Sequence, residues 1–128
     1  MTYYISRTIE SGFEEAVAKV VEALKHEGFG ILTDIDVAGT MKQKLGIDFR
    51  PYRILGACNP PLAHRALASE DKVGVMLPCN VIVQDAGAGK TEVAAIDPRA
   101  AMERIGNPVL ADLASEVADR LTRVISAI

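Results

Sequence analysis

The segment CNVIVQDAGAGKTEVAAID, residues 79–97, constrains the fold more than any other. Two runs rich in valine and isoleucine flank the loop Ala86-Gly87-Ala88-Gly89-Lys90. That loop is too short for a crossover helix, so the runs pair antiparallel as a hairpin. A purely parallel, doubly wound sheet is thereby excluded, although strand and helix patterns alternate through the first half of the chain.

The earlier elements follow from periodicity and from turn chemistry. TYYISRTI alternates and predicts a strand over about residues 2–9. Ser11-Gly12-Phe13-Glu14 has the form of a capping box, and Phe13, Val17, Val20, Val21 and Leu24 then recur at helical spacing up to Gly28. FGILTDIDV, residues 29–37, predicts a second strand with Ile31, Thr33, Ile35 and Val37 on one side and Leu32, Asp34 and Asp36 on the other. A short helix follows, with Ala38, Met41 and Leu45 inward and Gly46 at its end. RPYRILGAC, residues 50–58, is a third strand.

Three helix starts share one device. Asn59-Pro60-Pro61, Asp97-Pro98 and Asn107-Pro108 each place a capping side chain before a proline that has no amide to satisfy. The first helix so begun runs to about Glu70, with Leu62, Ala63, Ala66 and Leu67 inward. The last carries Leu110, Leu113, Ala114, Val117, Leu121, Val124 and Ile128 on one face, with Arg120 and Arg123 near its C-terminus, where cations suit the dipole. Between them, VGVMLPCNVIVQD predicts a strand bent or broken at Pro78 that resumes at Cys79. The sum is an α/β (α+β) chain: a two-layer sandwich, mainly antiparallel sheet with helices on one face, formed by one domain over residues 1–128.

Charge and composition narrow the function classes. A net charge of −3 argues against a general nucleic-acid binder, which needs a basic surface. There is no signal-peptide pattern and no apolar run long enough to span a membrane, so a cytoplasmic protein is expected. There, two cysteines separated by 21 residues are expected as free thiols and match no close-pair zinc or redox motif.

The candidate site comes from those cysteines. Each is followed by asparagine, in GACNPP and LPCNV. Cys58 ends a strand one residue before a helix, where free amides and the helix dipole would favour a thiolate. If Cys79 lies near it, Cys58, Asn59, Cys79 and Asn80 form a cluster, and His64 one to two turns along the helix is a possible base or third ligand. The competing readings are that the cysteines are small buried residues, that the asparagines only cap or turn the backbone, and that His64 is a surface residue.

Other motifs are weaker. GAGKT, residues 87–91, has the end of a phosphate loop, but Gln84 stands where glycine is needed and a strand follows instead of a helix. Asp34 and Asp36 share a strand face and could hold a metal or a proton. Lys42, Lys44, Arg50 and Arg53 concentrate positive charge that could meet an anion, although a solvated face is the usual meaning of both groups.

KLGIDFRPYRILGACNPPLAHRAL, VGVMLPCNVIVQD and VAAIDPRAAM together resemble the domain of unknown function 302 family over essentially the whole chain. The family's motifs correspond to Tyr52, Gly56, Cys58, Asn59, Pro60, Pro78, Cys79, Asn80, Asp97 and Pro98. The resemblance implies a compact fold of the TATA-binding-protein-like class, often a homodimer, with no DNA binding and no catalytic role or cofactor to carry over.

Three functions are compatible with these readings. The first is a small-ligand or metal-binding module at the Cys-Asn pairs. The second is a cysteine-dependent enzyme with Cys58 as nucleophile. The third is a structural or interaction homodimer in which the cysteines only pack.

Overall fold

The computed structural model describes residues 2–128. Its elements, in chain order, are β1 (Tyr4–Ile9), α1 (Phe13–His26), β2 (Gly30–Asp36), α2 (Val37–Leu45), β3 (Tyr52–Cys58), α3 (Pro60–Ser69), a 3-10 segment (Asp71–Met76), β4 (Cys79–Gly87), β5 (Lys90–Ile96), α4 (Pro98–Met102), a 3-10 turn (Glu103–Ile105) and α5 (Pro108–Ala127). The strands form one sheet in the order β1-β5-β4-β3-β2, and every neighbouring pair is antiparallel. Strands β2 to β5 are a meander, and β1 closes onto β5 at the far edge. Helices α1 and α5 cover one face, giving the expected two-layer sandwich.

The main core lies between that face and the helices. Leu55, Ala57, Cys79, Val81, Val83, Val93 and Ala95 of the sheet meet Val17, Val20 and Leu24 of α1 and Leu121 and Val124 of α5. A second, smaller cluster joins Leu62 and Ala66 of α3 to Val73, Leu110 and Leu113. Val117 packs against both.

The proline-led helix starts form as their chemistry dictates. Asn59, Asp97 and Asn107 each accept a first-turn amide, from Leu62, Arg99 and Val109 respectively. Helix α1 ends in a Schellman motif: Phe29 N–H bonds Leu24 O, Gly28 N–H bonds Lys25 O, and Gly28 takes φ +85°. Phe29 and Leu24 then share the core. The arginines of α5 serve this junction rather than their own helix end. Arg120 donates to Glu27 O and Arg123 to the Glu27 carboxylate. The α5 terminus is instead capped by Arg7 of β1, which donates to Ser126 O and Ile128 O.

Four expectations are corrected. The capping box does not form: α1 is capped by Gly12 with no side-chain bond, and Ser11 is buried with its carbonyl accepting Thr91 Oγ1 at 2.8 Å. The alternation of β2 is broken by a register shift between Ile31 and Thr33. Ile31 faces the core opposite Ala57, whereas Thr33 and Ile35 face the open side opposite Gly56 and Ile54. The segment DKVGVM is 3-10 rather than strand, and a cis Leu77–Pro78 peptide bond leads into β4. Helix α2 forms and ends at Gly46, but it buries no residue fully: Ala38 and Met41 are half-buried, and Leu45, expected inward, is exposed.

Candidate functional site

A cavity of about 310 Å³ opens at the seam between the two core clusters. Its floor is the end of the sheet, where Ala57 and Cys58 of β3 lie beside Cys79 of β4. One wall is α3, through Leu62, Ala63, Ala66 and Leu67. The other is Met102, Leu113 and Val117 from the C-terminal helices. Leu32, the residue extruded by the β2 bulge, reaches the rim and is 65% exposed. Bulges re-aim a side chain in this way, and here the extra residue delivers a leucine to the cavity. No charged side chain lines the space.

Three of the sequence candidates meet here. Cys58, Asn59 and Cys79 all line the cavity, and both thiols are free. Asn80 does not join them. It points to the opposite, open face of the sheet, where it lies in a groove with Tyr52 and Ile82. Alternation along a strand requires this, because Cys79 faces the core. His64 is exposed on α3 and does not line the cavity, so no Cys–His pair is built.

The electrostatic surroundings do not resemble an activated-thiol site. Burial pushes the Cys79 thiol up to about 11, with a smaller contribution from the charge of Cys58. The helix-start argument for Cys58 also loses its donors. Pro60 and Pro61 have no amide hydrogens, Leu62 N–H is taken by Asn59 Oδ1 at 3.3 Å, and Ala63 N–H by Asn59 O at 2.9 Å. The device that starts the helix so cleanly has removed the amides that would have held a thiolate. Asn59 itself is buried, its oxygen spent on the cap and its Nδ2 packed over Gly28, where a methyl group would come within 2.8 Å.

The weaker motifs are accounted for structurally. Asp34 is paired bidentately with Arg53, which holds its carboxyl below the usual range, and Arg53 also reaches Glu14. Asp36 caps α2 through Gly39 N–H. Lys42 bonds Asp48, and Arg50 bonds Gln84 while stacking over Phe49 and Tyr52. GAGKT is the β4–β5 turn, with Gly87, Ala88 and Gly89 all at positive φ. Among the described residues, no group of three or more His, Cys, Asp or Glu converges as a metal site.

Sequence reasoning missed Leu32, Met102, Leu113 and Val117. Leu113 and Val117 belong to a stripe that reads as ordinary core and Met102 to the short helix α4, and only the tertiary fold brings them to the cysteines. Leu32 owes its place to the register shift in β2, which the sequence pattern does not signal.

Comparison with known proteins agrees with this architecture. The family model for Domain of unknown function DUF302 matches residues 5–128. Among solved structures, an uncharacterized conserved DUF302 protein from Bacillus stearothermophilus is similar at 30% identity and a TM-score of 0.91, covering 99% of this chain and 98% of that one. No curated protein matches.

Proposed function

The chain belongs to the DUF302 family, whose description assigns no activity, and from its geometry we propose that it binds a small, uncharged, largely apolar molecule in the cavity between α3, α5 and the ends of β3 and β4. The observation that carries this reading is the cavity itself. About 310 Å³ is at the small end of ligand pockets, and its walls are leucine, alanine, valine, methionine and two thiols. With no lysine or arginine among the lining residues, a carboxylate or phosphate would lose its hydration without gaining a partner. The polar features are the two S–H groups and Asn59, enough to orient a ligand without charging it.

The test is titration with an uncharged, environment-sensitive fluorophore. Binding to the native protein is expected to saturate at one molecule per chain. Ala63→Phe, which fills the half-exposed wall of α3 at the cavity, is expected to abolish it while leaving the fold intact. Equal binding by both proteins would reject the cavity as the site. A cysteine-dependent enzyme with Cys58 as nucleophile is the weaker reading, because His64 lies outside the cavity and the helix start beside Cys58 has no free amide to hold a thiolate. Two unpaired thiols fit a reducing compartment, which supports a cytoplasmic location. Among the described residues, no helix is long and apolar enough to cross a membrane.

A specific feature also supports a homodimer. On the open face, Ile35, Ile54, Ile82, Ala94 and Ser6 stand side by side across all five strands. The adjacent row is Tyr52, Gln84, Glu92 and Thr8, in which Glu92 is engaged by Gln84 Nε2. A solvated antiparallel face is normally polar. This one has an uncharged central row that can meet a two-fold copy of itself without like-charge repulsion. Five strands span roughly 24 Å by 20 Å, a projected area of about 480 Å² against the ~800 Å² per partner of a standard interface, so the contact would be a small one. Light scattering is expected to give twice the chain mass, falling to one in Ile82→Glu. A native monomer at micromolar concentration, or a heterologous partner on this face, would reject it.

A further inference from the structure

We infer that Cys58 and Cys79 form a two-coordinate site for a soft, monovalent, closed-shell cation of the Cu⁺ and Ag⁺ class. The site lies in the cavity described above but does not depend on an apolar ligand entering it.

The placement comes from register. Cys79 stands opposite Ala57, and Cys58 is the next residue of β3. Their α-carbons are therefore diagonal neighbours on adjacent strands, about 6 Å apart from the strand spacing and the rise per residue. At this end of the sheet β3 turns into the α3 cap and β4 enters from Pro78, so both thiols reach one cavity despite being one register position apart. The charge of Cys58 acts on Cys79, as expected of near neighbours.

The donor set selects the ion. Zinc needs four ligands of sulfur, nitrogen or oxygen, and the cavity wall contains no histidine, aspartate or glutamate to complete them. The imidazole that could have served, His64, is on the outside of α3. A soft monovalent d¹⁰ ion is satisfied by two thiolates in a linear arrangement, and thiolate is the ligand it prefers. Apolar walls keep water and hard ligands away from it. The resulting complex carries one net negative charge, spread over two large, polarisable sulfurs that are more weakly hydrated than a carboxylate or phosphate.

The experiment is anaerobic titration of the reduced protein with Cu⁺ against bicinchoninate, a chromophoric Cu⁺ chelator, followed by the ultraviolet thiolate-to-copper charge-transfer band. One Cu⁺ per chain is expected, with affinity at least a hundredfold lower in Cys58→Ser and in Cys79→Ser. Cys79→Ala serves in place of Cys79→Ser if the buried hydroxyl prevents folding. Each variant is also titrated with the uncharged fluorophore. Retained fluorophore binding with lost Cu⁺ binding assigns the ion to the thiols and leaves the cavity intact. Cu⁺ held equally by the native protein and the double variant would overturn the proposal, as would one ion per two chains or equally tight Zn²⁺.

Discussion

Substituting Gly28 by alanine tests whether the end of α1 and the start of α3 are one mechanical unit. Two costs are expected. An L-residue at φ +85° is strained by about 1–2 kcal/mol. The new methyl would also lie 2.8 Å from Asn59 Nδ2 and 3.3 Å from an Arg120 nitrogen, so Asn59 must leave its capping position. Losing that cap costs about 1 kcal/mol. Gly28→Ala should therefore destabilise by roughly 2–3 kcal/mol, lowering Tm by roughly 6–15 °C for a chain of this size. Asn59→Ala alone should cost about 1 kcal/mol. In the double variant the clash has no partner and the cap is already gone, so its cost should match that of Gly28→Ala. The expected coupling is thus about −1 kcal/mol, measured by urea unfolding of the four proteins with a common slope. Additivity within about 0.5 kcal/mol would show that the two residues act separately. The packing account of Gly28 would then be wrong, although its φ would still explain the single substitution.

Four other outcomes are expected. The Cys79 thiol, raised by burial to about 11, should be alkylated at pH 8 at least a hundredfold more slowly than in urea, where its reference value of about 8.5 applies; equal rates would mean that the cavity floor is open to solvent. Because the folded protein keeps that proton longer than the unfolded chain, stability should fall as pH rises from about 8.5 towards 11, and Cys79→Ala should remove that part of the slope in alkaline unfolding curves. Asp97 is held below the usual carboxylate range, chiefly by Arg99, so its stabilisation is present above about pH 4 and lost as pH falls further; Asp97→Asn should flatten the acid limb of a Tm-against-pH series. Gly56→Ala would place a methyl against Thr33 Oγ1 and 2.7 Å from the Pro78 ring, so a loss of about 1–3 kcal/mol in urea unfolding is expected, and a neutral result would show that this strand crossing can spread.

The elements most legible in the sequence were those whose cause is local. Asn59, Asp97 and Asn107 each cap a helix beside a proline, and the loop between β4 and β5 is shorter than any alternative to a hairpin. What misled was local chemistry overruled from a distance. Ser11 has the right spacing for a capping box, but Thr91, 80 residues away, binds its carbonyl and Ser11 is buried at the end of β1. KVGVM has strand composition, yet only Val73 is buried, on the cluster beneath α3, and the segment winds tightly to keep it there. The bulge at Leu32 has no composition signal, and it exchanges the faces of everything after it in β2. For the site, Cys58, Asn59 and Cys79 were legible as residues at element ends, whereas Asn80 could be excluded only once the face of β4 was known. Even the meaning of Pro60-Pro61 reversed. It marks the helix start, and for the same reason it strips that start of donors.

Among the described residues strand β1 has one neighbour, β5, and residues 10–89 separate the two. During synthesis, residues 4–9 emerge before the rest of the sheet but have nothing to pair with until residue 96 has left the ribosome. Helix α1 must likewise wait for α5, whose arginines close over its end. The meander β2 to β5 can assemble as it appears, by neighbour-to-neighbour pairing, while the leading segment stays unpaired through most of translation. A ribosome stalled between β4 and β5 would therefore present a sheet with a bare edge at β4 and an unpaired, β-prone β1, the two surfaces most apt to find each other on different nascent chains.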